Sequence, residues 1–298
     1  MILLTGGNGQ VARWLAHLAP DDVWTVSRED LDITDRGAVL DLVTELKPTT
    51  VINAAAHTAV DRAEDEPDGA MAINRDGAAH VAEAAATSGA RLLHISTDYV
   101  FGEPTILEEP LAVDHPTVPQ SVYGITKLAG EHAVREACPE ATIVRTAWVY
   151  TGPSREWLGL SGDDFVTTMT RLEKSHETLT VVDDQMGSPT FARDLAVGIL
   201  EADRTDTARG RTVHAAGAGR ATWCDLARAV FEEIGADPER VKPCSTADFP
   251  RAAPRPAFSV LSSTEWAACG LAPLQDWREA VSAAIILAPP TDSVNSAS

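Results

Sequence analysis

Short apolar runs alternate with longer amphipathic segments along the first half of the chain. Runs of this length predict buried strands, and the segments between them have the periodicity of helices. The predicted strands are residues 1–5, 23–26, 50–53, 91–95 and 141–150, and the alanine-rich residues 70–88 predict a helix. Because strands alternate with helices without consecutive hairpins, the pattern predicts an α/β fold with a doubly wound parallel sheet.

After residue 150 the alternation becomes irregular. Helical patterns occur at residues 165–174, about 194–202 and 222–234, and short apolar runs occur at 178–182 and 213–216. They predict a smaller C-terminal α/β part. Residues 289–298 have no apolar periodicity and are expected to form a disordered tail.

A glycine turn, GGNG at residues 6–9, follows the first predicted strand, and a helical pattern then begins with Gln10 and Val11. Gly6 permits a tight turn, and Gly9 lets the backbone approach a pyrophosphate. The start of the helix adds free N–H groups and the positive end of its dipole. The alternative is a turn in an unrelated α/β protein, but the position directly after an apolar strand favours a dinucleotide site.

Polar residues after the second strand indicate which dinucleotide binds. Ser27 and Arg28 occupy the place where NAD sites often carry an acidic residue, whereas an arginine can meet a 2′-phosphate. We therefore predict NADPH as the cofactor, with NADH as the alternative. The simpler interpretation is that Arg28 is solvated or paired with Glu29. Asp32 and Ile33 are candidates for a position beside the adenine.

Residues with small side chains follow the third predicted strand. At the carboxyl end of a strand, such residues let a flat cofactor lie against the backbone. They are Ala54, Ala55 and Ala56. His57, Asp61 and Glu64 come next and would be candidate metal ligands. No further His or Cys stands at ligand spacing, so we predict no metal site and interpret this stretch as a polar loop and helix start.

Tyr123 and Lys127 are four residues apart in a predicted helix, so their side chains share one face. A neighbouring ammonium stabilises a phenolate and lowers the pKa of the phenol, which suits proton transfer to or from a substrate oxygen. Thr97, at the end of the fourth strand, is placed to hydrogen-bond such an oxygen. The alternative is a surface helix with one Tyr and one Lys, and a threonine that caps the next loop.

The formal net charge of the 298 residues is −20. Such a charge argues against nucleic acid and anionic membrane surfaces as partners, because both are bound through clustered Lys and Arg. The four cysteines are scattered without a CxxC pair, as is typical of reduced thiols in the cytosol. With no basic leader and no apolar run long enough to cross a membrane, we expect a cytoplasmic protein.

Seven segments, in this order, resemble the extended short-chain dehydrogenase/reductase superfamily, and most closely its dTDP-4-dehydrorhamnose reductase family. They are TGGNGQ (5–10), VINAAAHTAVDRAEDE (51–66), STDYVFG (96–102), YGITKLAGE (123–131), RTAWVY (145–150), VDDQMGSPTFARDL (182–195) and RPAFSVL (255–261). With the hydrophobic pattern, the resemblance predicts a Rossmann-type dinucleotide-binding domain at residues 1–150, to which segments at about 178–202 return. Residues 151–288 would be mainly a substrate-binding part.

The family reduces the 4-keto group of a deoxyhexose attached to dTDP, so the resemblance implies a dTDP-4-keto-6-deoxy sugar as substrate. It implies that Tyr123 protonates the ketone oxygen, that Thr97 polarises it, and that Lys127 holds the nicotinamide ribose and lowers the pKa of Tyr123. The residues that match cofactor contacts are Gly6, Gly9, Gln10, Val11, Asp32, Ile33, Ala54, Ala55 and Thr58. Those that match positions facing the sugar are Asp98, Tyr99 and Trp148.

Two other functions stay open: a dinucleotide-binding regulatory subunit like that of methionine adenosyltransferase, and a sugar-nucleotide epimerase or dehydratase. Related dehydratases carry two acidic residues after the threonine, whereas Asp98 and Tyr99 follow Thr97 here, which favours reduction. Residues 102–119 and 150–165 depart from the family pattern and leave the identity of the sugar open. Some members of this family form dimers bridged by a metal ion that glutamates bind. Those glutamates cannot be placed in this sequence, so we predict no metal, and whether the protein forms a homodimer is an open question.

Overall fold

A computed structural model describes residues 1–103 and 105–287 of the chain, and the predicted tail at 289–298 lies outside them. Its strands are β1 (Ile2–Thr5), β2 (Val23–Val26), β3 (Thr50–Asn53), β4 (Arg91–Thr97), β5 (Thr142–Thr146), β6 (Val149–Tyr150), β7 (Leu179–Val182), β8 (Met186–Gly187), β9 (Thr190–Phe191), β10 (Thr212–His214), β11 (Ala221–Thr222), β12 (Val241–Cys244) and β13 (Phe258–Ser259). Six of them form a central parallel sheet in the order β10-β5-β4-β3-β1-β2.

Helices connect these strands. They are α1 (Gln10–Leu18), α2 (Arg36–Leu46), α3 (Val60–Asp65), α4 (Pro67–Met71), α5 (Ala78–Ser88), α6 (Val122–Ala137), α7 (Phe165–Glu173), α8 (Ala192–Asp203), α9 (Trp223–Glu233), α10 (Thr264–Ala268) and α11 (Trp277–Ile286). Within the ranges that the structure describes, none of them has both the length and the hydrophobicity needed to cross a membrane.

Neighbouring residues of the central strands pack into two separate cores on opposite faces of the sheet, because side chains alternate along a strand. One core contains Leu3, Val51, Leu92 and Ile143 under α2 and α5. The other contains Leu4, Ile52, Leu93 and Val144 under α1 and α8. Helices therefore cover both faces, which confirms the predicted Rossmann-type doubly wound fold.

The strand predicted at 141–150 is wrong in extent. β5 ends at Thr146 and β6 begins at Val149. Trp148 lies between them with φ 46°, in the left-handed region that a non-glycine residue seldom adopts. This residue turns the chain, so that β6 pairs with β9 and does not continue the central sheet.

The segment predicted as one helix at 70–88 contains a π-helical stretch, Ala72–Gly77, between α4 and α5. Inside it, Asn74 accepts a hydrogen bond from His57 N (2.8 Å) and donates one to Thr126 Oγ1 (3.0 Å). Such wider turns are frequent at functional sites. Here the turn brings a buried amide between the loop after β3 and the helix that carries Tyr123.

The two elements within residues 178–202 that were predicted to return to the N-terminal part pack in different places. Helix α8 packs against α1, but β7 pairs with β12 in a separate two-stranded sheet. The strand that joins the central sheet is instead β10, which lies outside the predicted segments and pairs with β5. The apolar run at 213–216 predicts a strand here, but the hydrophobic pattern does not indicate that this strand completes the central sheet.

Candidate active site

The glycine turn lies at the junction of β1 and α1. Gly6 has φ 77°, and a Cβ there would lie 2.7 Å from the carbonyl carbon of Ala54, so the turn and β3 can approach only with glycine. Gly9 is the N-cap of α1, and no side chain caps this helix. Gln10 and Val11 form its first turn. The leading N–H groups of α1 can therefore bind a pyrophosphate.

The carboxyl end of β3 lies beside this turn. Ala54, Ala55 and Ala56 are partly exposed there, and Thr58 is exposed. The side chain of Asn53 is completely buried and accepts hydrogen bonds from Thr5 Oγ1 (2.7 Å) and Ala55 N (3.2 Å). These bonds hold the carboxyl ends of β1 and β3 next to each other. The small alanine side chains that follow β3 then form a flat surface beside the glycine turn.

The residues predicted to meet the adenosine end follow β2. Ser27 donates two hydrogen bonds to Asp30 Oδ2, at 2.9 Å and 2.7 Å, and closes a turn. Arg28 is exposed and forms no ion pair within residues 1–103 and 105–287. Asp32 Oδ1 accepts hydrogen bonds from the backbone and hydroxyl of Thr34, while the side chain of Ile33 is buried. Arg28 is thus the side chain of this group that is open to a phosphate.

The structure brings Thr97, Tyr123 and Lys127 together at the carboxyl edge of the sheet. Thr97 ends β4 and Tyr123 lies in the first turn of α6, which Ser121 caps by accepting a hydrogen bond from Gly124 N. All three catalytic candidates are buried.

Burial, and not Lys127, has the largest effect on the phenol. It raises the pKa of Tyr123 to about 12, whereas the sequence predicted a lowered value. Burial also lowers the pKa of Lys127 to about 8, against the opposing effect of Glu131. The ammonium donates a hydrogen bond to the carbonyl oxygen of Ile95 at 2.7 Å. The sequence-based expectation was wrong because removal from water disfavours the charged form of each group.

Asp98 lies next to Thr97 and is 2 % exposed. Burial raises the pKa of its carboxyl to about 6, although hydrogen bonds from Ser259 and Thr97 act in the opposite direction. Tyr99 follows, and its ring meets that of Tyr123 edge to face with centroids 5.4 Å apart. Burial raises the pKa of Tyr99 as well. The site therefore holds neutral phenols beside a carboxyl that titrates near neutrality.

A cleft of about 650 Å³ opens from Tyr99 toward the C-terminal half. Its lining includes Phe165, Gln185, Trp223, Arg251 and Arg255. Several of them lie in family-like segments or predicted helices, but no sequence pattern assigns them a role. Trp148, predicted to face the sugar, stacks on Trp223 at the cleft. Only the fold brings these aromatic and cationic side chains together.

Asp61 and Arg255 connect the two halves of the chain at this cleft. Arg255 Nη2 donates to Asp61 Oδ2 at 2.9 Å, and Ala253 N donates to Asp61 Oδ1 at 3.1 Å. Desolvation opposes ionisation of Asp61, but Arg255 and the Ala253 amide outweigh it, and the pKa of Asp61 is lowered. The bridge fixes the loop that carries Arg251 and Arg255 over the cleft.

The three residues weighed as metal ligands have other partners. Asp61 binds Arg255, Glu64 accepts a hydrogen bond from Val122 N at 2.8 Å, and His57 Nε2 lies 3.8 Å from Glu66. Among the described residues, no three His, Cys, Asp or Glu side chains come close enough to hold a metal ion.

Comparison with known proteins gives consistent results. A family model described as the RmlD substrate binding domain matches residues 1–288. The dTDP-4-dehydrorhamnose reductase of Mycolicibacterium smegmatis is 48% identical over 95% of this chain and 84% of its own. That of Mycobacterium tuberculosis is 46% identical over 99% of this chain and 94% of its own.

A solved structure supports the same relationship. The dTDP-4-dehydrorhamnose reductase of Bacillus anthracis, solved in complex with NADP, is 37% identical and superimposes with a TM-score of 0.86. The match covers 94% of this chain and 96% of that chain. With a family match over nearly its whole length and relatives above 45% identity, the chain belongs to the dTDP-4-dehydrorhamnose reductase family.

Proposed function

We propose that the protein reduces the 4-keto group of a dTDP-linked 6-deoxyhexose with NADPH. The observation that carries this proposal is the position of Thr97 and Tyr123 at the carboxyl edge of the sheet, where open α/β sheets bind their ligands. The glycine turn begins at the same edge, and the cleft starts at Tyr99. The names of the relatives favour this activity over a regulatory subunit, an epimerase or a dehydratase.

The cofactor-binding residues fit a phosphorylated dinucleotide. NADPH, when bound, supplies the hydride for the C4 carbon. Gly6 and the uncapped start of α1 suit a pyrophosphate. The exposed guanidinium of Arg28 suits a 2′-phosphate, because its planar donors match phosphate oxygens. This residue is our reason for proposing NADPH over NADH.

Tyr123 is the proposed proton donor. A pKa of about 12 keeps the phenol protonated at neutral pH, so it has a proton to give to the oxygen that gains charge during reduction. We infer that the Thr97 hydroxyl, which now donates to Asp98 Oδ1 at 3.0 Å, orients that oxygen. The ammonium of Lys127 would stabilise the phenolate that remains.

The cleft suits a sugar attached to a nucleoside diphosphate. Phe165 and Trp223 offer aromatic faces to a base or a sugar ring. Arg251 and Arg255 offer guanidinium groups, which bind diphosphate oxygens well. Asp98, near the catalytic pair, would face the sugar.

The test is to mix the protein with NADPH and a dTDP-4-keto-6-deoxyhexose and to follow the absorbance of the reduced nicotinamide. We expect oxidation that depends on both compounds, with a lower KM for NADPH than for NADH. dTDP-glucose, which has no ketone, serves as the control. No oxidation with any dTDP-4-keto-6-deoxyhexose would disprove the proposal. The NMR spectrum of the product would give the configuration at C4.

A further inference from the structure

Two consecutive residues at the end of β4 each form a hydrogen bond with a different residue of α6. The pairs are Ile95 with Lys127 and Ser96 with Glu131, and Thr97 follows directly in the strand. Lys127 Nζ donates to the carbonyl oxygen of Ile95 at 2.7 Å, and Ser96 Oγ donates to Glu131 Oε1 at 2.6 Å. The helix residues are spaced by four, so they form one face toward the strand.

Glu131 is the centre of a buried ion pair. Its carboxylate accepts two hydrogen bonds from Arg145, at 2.9 Å from Nε and 2.7 Å from Nη2, besides the one from Ser96. Glu131 is 3 % exposed and Arg145 6 %. Arg145 pairs with Ser96 in the register of β4 and β5, so the carboxylate spans both strands from the helix. A bidentate arginine–carboxylate contact of this kind fixes the relative orientation of the two side chains.

Arg145 extends this arrangement to the loop that follows β4. Its Nη1 donates to the carbonyl oxygen of Val113 at 3.0 Å, and its guanidinium lies 5.1 Å from the centre of the Phe101 ring. Val113 belongs to residues 102–119, which depart from the family pattern. The helix, two strands and this loop are therefore connected through a single carboxylate.

We propose that Glu131 is a positioning residue for the reduction: bound to Ser96 and Arg145, it holds α6 in register with β4, so that Lys127 and Tyr123 stay aligned with Thr97. Glu131 itself touches neither substrate nor cofactor in this scheme. The inference deepens the proposed function and rests on it for the catalytic roles of Tyr123 and Lys127.

Charge makes this role measurable. Lys127 and Arg145 are both buried cations, and Glu131 binds Arg145 directly and acts on Lys127 through its charge. Burial lowers the pKa of Lys127 to about 8, and Glu131 is the charge that opposes this effect. Removal of the carboxylate should therefore lower the pKa of Lys127 further. This pKa reports the electrostatic coupling between Glu131 and Lys127, whereas kcat in a folded variant reports the alignment of the catalytic groups.

Other titratable groups come from the elements packed against α6. They are Asp61, Arg62, Glu64 and Asp65 on α3, Asp68 on α4, Arg75 and Asp76 in the π-helical stretch, His80 and Glu83 on α5, Arg91 and His94 on β4, and Asp98 after β4. His94 is buried, and burial and Lys127 both lower its pKa, so it remains neutral and adds no charge near the ammonium. Arg75 pairs with Asp76, and each of the two side chains is more than two-fifths exposed.

The decisive experiment is a pH titration of lysine ¹³Cε resonances by NMR, with Glu131→Gln compared with the wild type. The chain has only four lysines, Lys47, Lys127, Lys174 and Lys242, so a Lys127→Met variant identifies the relevant signal. We expect the Lys127 resonance of Glu131→Gln to titrate about one pH unit or more below that of the wild type. Glu136→Gln, an exposed change on the same helix, should leave it in place.

Steady-state kinetics add a second readout. In Glu131→Gln we expect kcat to fall about tenfold while KM for NADPH stays within about twofold, because transition-state alignment and not cofactor binding is lost. The alkaline limb of the kcat profile should move to lower pH together with the Lys127 resonance. An unchanged resonance and an unchanged kcat in the folded variant would overturn the inference.

A double variant covers a failure of the single variant to fold, since Glu131→Gln leaves Arg145 buried without a counter-charge. Glu131→Gln with Arg145→Gln removes both charges and should show the same lowered Lys127 pKa, because Glu131 is the charge that acts on Lys127. A wild-type value in the double variant would also refute the inference. The NMR readout needs no turnover, so an inactive wild type would refute the proposed function and leave this result standing.

Discussion

The indole rings of Trp148 and Trp223 stack with centroids 3.6 Å apart and planes 6° from parallel. Trp148 reaches this position through its left-handed backbone, and Gly187 lies directly against its ring. A Cβ at position 187 would lie 2.3 Å from Trp148 Cε2. The stack at the cleft therefore depends on the absence of a side chain at position 187 of β8.

Gly187→Ala should displace the Trp148 ring and disturb the cleft. We expect KM for the sugar nucleotide to rise about tenfold and the protein to lose about 1–3 kcal/mol of unfolding free energy, the usual cost of overpacking. Steady-state kinetics and denaturant unfolding give the two quantities. Gly69→Ala is the matched control, because a Cβ there meets nothing within 4 Å. Wild-type KM in Gly187→Ala would argue against a role of this stack in binding.

Tyr123→Phe should remove the proton donor and leave the fold intact. We expect kcat to fall by a factor of about 10²–10⁴, the range for a lost general acid, with unchanged affinity for NADPH. Turnover assays and a binding titration measure the two effects. Tyr150→Phe is the control, since Tyr150 is also buried and its hydroxyl has no hydrogen-bond partner within the described residues. Full activity of Tyr123→Phe would show that another group donates the proton.

Asp98→Asn should stabilise the protein, and more so at higher pH. The folded-state pKa of Asp98 is raised to about 6 from 3.8, so the native protein binds a proton that the unfolded chain has lost between these values. Wild-type stability therefore falls as pH rises through this window, by up to about 3 kcal/mol.

Unfolding curves in denaturant at about pH 4.5 and about pH 7.5 measure the effect, because most of the change in stability falls between these two pH values. The gain of Asp98→Asn over the wild type should be larger at the higher pH. The exposed Asp41→Asn should give no such difference. An equal gain at both pH values would mean that Asp98 does not carry the raised pKa.

Asp61→Asn should weaken binding of the sugar nucleotide more than it affects stability. The change removes the ion pair with Arg255, whose loop lines the cleft, while Asp61 is partly exposed and contributes little to folding. We expect KM to rise about threefold to tenfold with kcat nearly unchanged, as for a loss of uniform binding. Asp65→Asn, an exposed change on the same helix, is the control in the same assay. A KM equal to that of the control would separate this bridge from substrate binding.

Local sequence pattern was sufficient to predict which candidate residues lie at the carboxyl edge of the sheet. The glycine turn, Thr97 at a strand end and the Tyr123–Lys127 spacing each depend on residues close in sequence, and the fold class follows from the alternation of strands and helices. Phe165, Trp223 and Arg255 come from distant segments and converge only in the folded chain, so no spacing could predict them. The direction of the Tyr123 pKa was mispredicted because the sequence does not give the degree of burial.

Strand β10, which completes the edge of the central sheet beside β5, limits how this enzyme can be recombined with its relatives. A chimera joined at residue 150 would pair one protein's β5 with the other's β10 and would place a foreign α8 on α1. Exchange of sugar preference should instead transplant residues 151–189 and 215–287 together with the loop at residues 102–119, as a matched set. Such a set is discontinuous in the gene, and random crossover in the second half would mostly yield proteins with mismatched sheets.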